Sequence, residues 1–313
     1  MEKHNYIILS DAASDLSPEL RKRFGIDGYI QTYISTPKEE DIPSRLDMSD
    51  AELDAFYAAL KSNKNGYKTS APSVDEVVLY FESFFKQGND ILTVSLSSKL
   101  SATYNVILQA KKIVCEKYPE RKAVIVDSLK YSLGSGLLAI KASELRAQGL
   151  SIDENAKALD RIKTTLHHMG PIDDLFWVAS KGRISHAKAF FGTMLGVKPM
   201  GDFGPEGMVT VLGKATGIEK ALKVTVEYIK KTIKSEKEQI ILVAHTARRK
   251  QAQTLAQLIE EKIKPKEVMV CNIYPMSGIN AGPGIVAAFY YGTEITDLAY
   301  EKQILNEIIV SKS

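Results

Sequence analysis

Short runs of Ile, Val and Leu alternate along this chain with segments whose apolar residues recur at helical spacing. That alternation limits the fold more than any other feature, because strand–helix repetition generates a parallel sheet covered on both faces. Strands are predicted at 6–10, 29–34, 91–96 and 123–127. Between them, Ser49 with Glu52 and Ser73 with Glu76 form capping boxes, in which hydroxyl and carboxylate satisfy orphan amides at a helix start. Leu53, Phe56, Tyr57 and Leu60 then share one helical face, as do Val77, Phe81 and Phe84. Two more helices are predicted near 104–114 and 133–147, the latter ended by Gly149.

A third capping box, Ser151 with Glu154, opens a helix and sets the expected domain boundary. The predicted fold is therefore α/β in two domains. Residues 1–150 form a parallel α/β domain, and residues 151–313 an α+β domain of sheet and helices. In the second domain, strands are expected near 175–179, 209–212, 240–245 and 268–274. Helices carry Ile218, Leu222 and Ile229, then Ala252, Leu255 and Ile259, and a last one is expected after Gly284 with Ile285, Val286 and Phe289.

Bulk properties exclude several functions. The 41 basic and 38 acidic residues nearly cancel, giving a net charge of +3, whereas a dedicated nucleic-acid binder shows a clustered basic excess. The two cysteines are too few for a disulfide framework or a structural zinc site. No window approaches the roughly 18 apolar residues of a membrane span, and residues 1–9 lack the features of a secretion signal. A cytoplasmic protein is expected.

In open α/β sheets the ligand crevice lies beyond the carboxyl ends of the strands. The polar residues at those positions fall into four groups: Asp11 to Asp15, Thr69 to Ser73, Ser95 to Ser101, and Asp127 with Ser128. Each alone reads as caps and turns; together they read as a donor-rich site for an anionic head group. Asp11, Asp15 and Asp127 would repel an anion and are assigned to turns. Further along, Arg183 follows Gly182, and a guanidinium suits carboxylate recognition. Gly282-Pro283-Gly284 permits close backbone approach, but no Lys-Ser/Thr pair follows, so it is not a phosphate-cradling loop. Catalytic and metal signatures are missing: there is no nucleophile elbow, and His167 and His168 are adjacent rather than one helical turn apart. His245, at a predicted strand end, reads either as functional or as a satisfied strand-end histidine.

Taken in order, Ser10 to Asp15, Thr69 to Ser73, Ser97 to Tyr104, Asp127-Ser128, Gly182 to Ser185 and Gly282-Pro283-Gly284 resemble the DegV family over essentially the whole length. The resemblance implies a non-catalytic protein with no cofactor, holding a long-chain fatty acid in an apolar tunnel at the domain junction. Some members of that family carry the acyl chain for a separate ATP-using fatty acid kinase subunit. By motif, Thr69, Ser97, Ser98 and Asn280 would hold the carboxylate, and Arg183 would present the head group. Ser70, Gly282 and Gly284 would support the loops. Phe190, Leu195, Met200 and Phe203 are tunnel candidates from their place near Arg183. The sequence departs from the family pattern at Ala102, Lys181 and Asn280. Asn280 stands where the family has histidine; it can donate to a carboxylate but cannot shuttle a proton. Two alternatives stay open: a hydrolase or phosphotransferase with Ser98 or Thr69 as nucleophile, and a carrier or sensor for another lipid.

Overall fold

A computed structural model describes residues 6–185 and 196–311. The chain divides into two compact units, each built from more than one stretch of sequence. The first comprises residues up to 48, then 65–163 and 274–277; the second comprises 49–64, 164–273 and 278 onward.

In the first unit, β1 (Tyr6–Asp11), β2 (Gly28–Ile30), β6 (Asp90–Ser95) and β7 (Ala123–Asp127) form a parallel sheet in the order β2-β1-β6-β7. Helices α1 (Pro18–Phe24), α3 (Val74–Phe85), α4 (Thr103–Lys117), α5 (Leu133–Ala147) and α6 (Ile152–Ile162) surround it. Strand residues alternate between the faces. Ile7, Leu9, Ile91 and Ile125 pack against Val77, Phe81 and Phe85 of α3 and Ile107, Ala110 and Val114 of α4. Ile8 and Leu92 point the other way and are fully buried; α5 packs on β1 and β6, and α6 on β7. The predicted strand at 29–34 is broken in two. Its second half becomes β3 (Tyr33–Ser35), the centre of a small antiparallel sheet with β4 (Ile42–Pro43) and β5 (Lys68–Ser70).

All three predicted capping boxes are present, with both hydrogen bonds made. The one at Ser151 does not mark a domain boundary, however. Its helix α6 stays with the first unit, because buried Asn155 donates to the Ala142 carbonyl at 2.7 Å and to the Tyr6 hydroxyl at 2.9 Å. In the opposite direction, α2 (Asp50–Ser62) lies early in the sequence yet packs within the second unit. Tyr57 donates to the Ile273 carbonyl at 2.6 Å, and Asp50 pairs with Arg249 and accepts from Asn272 at 3.0 Å.

The second unit is a seven-stranded mixed sheet in the order β13-β12-β14-β8-β10-β11-β9. Its strands are β8 (Leu166–Pro171), β9 (Ile184–Ser185), β10 (Val197–Phe203), β11 (Val209–Thr216), β12 (Ile240–His245), β13 (Glu267–Asn272) and β14 (Val286–Tyr291). Helices α8 (Ile218–Thr232), α9 (Arg249–Lys262) and α11 (Ala299–Ser311) bury Leu222, Tyr228, Ile229, Leu255, Ile259 and Leu305 against it.

Two expectations are corrected here. The apolar run at 175–179 is a helix, α7 (Leu175–Ser180), since Asp174 caps it through the Trp177 amide at 2.8 Å. Leu175 and Val178 face inward at helical spacing while Phe176 is exposed. The segment after Gly284 is strand β14 rather than a helix, and it lies inside the sheet between β12 and β8. Its continuous apolarity reflects burial on both faces. Strands β8 and β10 are not among the expected strands; each mixes buried polar residues, His167 and Asp202, with buried apolar ones, Leu166, Met169, Met200 and Phe203. His167 bridges Asp202 at 2.7 Å and the Thr293 carbonyl at 3.0 Å, and Asp202 also accepts from the Tyr228 hydroxyl at 3.2 Å.

His167 and Asp202 are fully buried, so removing the imidazole takes away one partner of a buried carboxylate that keeps Tyr228 and the His168 amide. His167→Ala is expected to lower unfolding stability by about 3–5 kcal/mol in urea titrations.

Candidate functional site

Strand order in the first sheet reverses between β1 and β6: the chain steps from β1 to β2 on one side and from β6 to β7 on the other. Such a switch point opens a crevice beyond the strand ends. The loops there are unusually polar for a buried region. Ser10, Asp11, Ser14, Asp15, Ser95, Ser97, Ser128 and Ser132 are all almost inaccessible to solvent.

Two carboxylates organise these loops. Asp11 accepts from the Ala13 amide at 2.9 Å, the Leu96 amide at 2.8 Å and the Ser95 hydroxyl at 3.0 Å, so it ties the loop after β1 to the loop after β6. Asp15 accepts from the Ser132 hydroxyl and from the Tyr274 amide at 2.9 Å. It thereby draws in the segment after β7 and the start of α10 (Pro275–Ala281). Tyr131 reinforces this through the carbonyls of Met276 and Ser277, at 3.3 and 3.0 Å. Burial pushes Asp11 up to about 6 and Asp15 up to about 7, even though their hydrogen bonds pull the other way. Asp15, Leu129 and Ser132 all have positive φ, a conformation that non-glycine residues hold only where surrounding contacts dictate it.

The expected site residues of the first unit fall into two places. Ser97 and Ser98 occupy the loop after β6. The Ser97 amide donates to the Lys130 carbonyl at 2.8 Å, and its hydroxyl oxygen accepts from the Lys99 amide at 3.3 Å. The Ser98 amide donates to Asp127 at 3.1 Å, and the Leu129 amide shares that carboxylate oxygen. Both serine amides are thus occupied. Asp127 has the turn-holding role expected of it. Thr69 and Ser70 stand instead on β5, where Thr69 is half-buried opposite Ile34. Ser70 donates to Asp41 at 2.7 Å.

Arg183, Asn280, Gly282 and Gly284 belong to the second unit. Arg183 is half-buried after Gly182, with its guanidinium folded onto the Lys181 carbonyl. Asn280 is buried near the end of α10. Both glycines have positive φ, and the close approach they permit is to protein side chains. A Cβ on Gly282 would lie 2.7 Å from the Trp177 ring, and one on Gly284 would collide with the Asp173 carboxylate. Thr246 secures the turn, donating to the Gly282 carbonyl and accepting from the Ile285 amide, each at 2.8 Å. Among the tunnel candidates, Met200 belongs to the main core of its unit and Phe203 stacks on His168. Phe190 and Leu195 lie outside the described residues.

The model of a family described as "Uncharacterised protein, DegV family" matches residues 6–293. The chain belongs to the DegV family. It is 34% identical over 291 residues to the DegV domain-containing protein CPE0026 of Clostridium perfringens, covering 92% of this chain and 97% of that one. The fold is shared with solved DegV proteins at lower identity. A fatty-acid-binding DegV family protein from Thermus thermophilus superposes with a TM-score of 0.81 at 22% identity, over 92% of this chain and all of that one. A stearic acid-binding protein from Eubacterium ventriosum gives 0.79 at 23%, over 91% and 97%. Among the described residues of this DegV chain, no group of three or more His, Cys, Asp or Glu side chains is placed to hold a metal ion, and no helix is long and apolar enough to cross a membrane.

Sequence reasoning missed the roles of Asp15, Ser132 and Tyr274. They meet only in three dimensions, and the single local signal was an acidic residue at a strand end with no basic neighbour. Asp15 also leaves a signature in pH dependence. An unfolded aspartate titrates near 3.8, whereas Asp15 holds its proton to about 7. Between those values the unfolded chain releases a proton that the folded chain retains, so this residue costs stability as pH rises through the window. Asp15→Asn removes the penalty. In urea titrations its stability relative to the unaltered protein should rise steadily from pH 4 to pH 8; a constant difference would contradict the assignment.

Proposed function

We propose that this protein binds a long-chain fatty acid without catalysing a reaction of its own. The carboxylate is held by the hydroxyls of Thr69, Ser97 and Ser98 and by the Asn280 amide. The observation that carries this reading is the hydroxyl-rich, water-excluded switch-point crevice of a DegV chain whose structural relatives include proteins described as fatty-acid-binding. Physically the two ends of such a ligand have separate requirements. Each buried methylene contributes about 0.8 kcal/mol, so the tail supplies most of the affinity. The head group needs a few donors to avoid leaving a charge buried and unpaired.

The crevice also explains why the donors are neutral. Asp11 and Asp15 are fully committed to backbone and serine partners, and burial favours their protonated forms. They shape the site without opposing an anion with two full negative charges. No described contact joins either carboxylate to Ser98, so the structure lends no support to Ser98 as an activated nucleophile.

A finer reading follows from Arg183. On its turn beside Lys181 it can present the bound head group to a separate ATP-using kinase subunit, which would form an acyl phosphate. Asn280 favours holding over proton transfer at this position, since an amide neither ionises nor relays a proton near neutral pH.

Protein purified from cells is expected to yield long-chain fatty acid by mass spectrometry after denaturation. Removing one hydrogen bond to a charged group costs about 1.5–3 kcal/mol. Ser97→Ala or Thr69→Ala should therefore weaken binding of a fluorescent fatty acid by roughly 10- to 100-fold. Repeated recovery of ligand-free protein, together with unchanged binding in both variants, would refute the reading.

A further inference from the structure

Lysine is rarely withdrawn from water, because its ammonium is strongly hydrated and expensive to desolvate. Among the described residues, Lys130 is the one lysine or arginine that is fully buried, with 2% of its surface exposed. Its neighbour Leu129 is only half-buried. The loop therefore turns a charged side chain inward and leaves an apolar one partly in solvent, the reverse of what burial energetics favour. Such inversions belong where function rather than stability sets the arrangement.

The backbone is built to hold this inversion. Lys130 stands in the loop after β7, at the same end of the sheet as the switch point. Its carbonyl accepts from the Ser97 amide at 2.8 Å and from the Ser128 hydroxyl at 3.3 Å, and its own amide donates to the Ser128 hydroxyl at 3.1 Å. Leu129 before it and Ser132 after it both have positive φ, at 52° and 53°. Leucine takes that conformation only against steric resistance. Through its backbone, Lys130 is thus fastened directly to the serine loop proposed above to hold the carboxylate.

The carboxylates of these loops are committed elsewhere. Asp127 accepts from the Ser98 and Leu129 amides, Asp11 from the Ala13 and Leu96 amides and the Ser95 hydroxyl, and Asp15 from Ser132 and the Tyr274 amide. For Asp11 and Asp15, burial outweighs these bonds and holds the carboxyls up at about 6 and about 7, the direction opposite to that imposed by an adjacent cation. Neither behaves as the counter-ion of Lys130.

We infer that Lys130 supplies the positive charge by which this site selects a carboxylate head group over an uncharged one. The inference rests on the fatty-acid reading above and deepens it. Thr69, Ser97, Ser98 and Asn280 can donate hydrogen bonds to an alcohol or ester oxygen as well as to a carboxylate, so neutral donors discriminate weakly by charge. An ammonium on the residue bonded to Ser97 changes that: a buried carboxylate and a buried ammonium each lower the cost of burying the other. A long-chain alcohol brings the same tail without that charge.

The test compares palmitate with hexadecanol, which share a tail length and differ in head-group charge, on the full chain freed of bound lipid. The unaltered protein should prefer palmitate by at least about 10-fold, the margin of a hydrogen bond to a charged group. Lys130→Met keeps a long flexible side chain and removes the charge; it should erase most of that preference by weakening palmitate while leaving hexadecanol little changed. Lys130→Arg should retain the preference. In the unaltered protein the 15N resonance of the Lys130 ammonium should shift on addition of palmitate and not of hexadecanol, a readout that stands even where a variant fails to fold. Equal weakening of both ligands in Lys130→Met would mark a packing role. That result, an unchanged preference, or an ammonium resonance indifferent to palmitate would overturn the inference while leaving fatty-acid binding intact. Unaltered protein that binds neither ligand would instead refute the fatty-acid reading, and this inference with it.

Discussion

Buried carboxylates are expensive, and the first unit retains two of them side by side at the end of its sheet. Asp11 and Asp15 reach from one loop to the backbone and hydroxyls of three other segments, converting separate strand ends into a single fixed crevice. Everything proposed for the site depends on that arrangement. It explains the positive φ of Asp15 and Ser132, which hydrogen bonds on both sides over-determine. Asp127, the Lys130 carbonyl and Asp11 engage the amides of the loop after β6.

The second unit solves a comparable problem differently. There the polar residues lie inside the sheet, where His167, Asp202, Tyr228 and the Thr293 carbonyl satisfy one another. The glycines at 282 and 284 serve packing, against Trp177 and Asp173. Helix α2 closes this unit from an unexpected direction, since it is encoded between two strands of the first unit's small sheet.

How much of this was legible follows from where the information resides. The capping boxes at Ser49, Ser73 and Ser151 are local chemistry and were readable to the residue. The strands expected at 6–10, 91–96, 123–127 and 240–245 were found within one residue at each end, because their alternation or continuous burial is written in consecutive residues. The run at 175–180 and the segment after Gly284 were not, because six apolar residues suit a short helix and a buried strand equally well. The unit boundaries were hidden for another reason. Asn155 binds Ala142, and Tyr57 binds Ile273, through contacts that no local pattern announces. At the site, motif order pointed to Thr69, Ser97 and Ser98, whereas Asp15 and its distant partner Tyr274 required the fold.

The central claim is that side-chain hydroxyls of the switch-point loop after β6 and of β5 grip a carboxylate. The most direct measurement is NMR of a fatty acid labelled with 13C at its carboxyl carbon, bound to the protein and to its Ser97→Ala and Thr69→Ala variants. The account predicts one resolved carboxyl signal, displaced from that of free ligand, which moves in each variant as a hydrogen bond is lost. A carboxyl signal identical in all three proteins would place the head group elsewhere and contradict it.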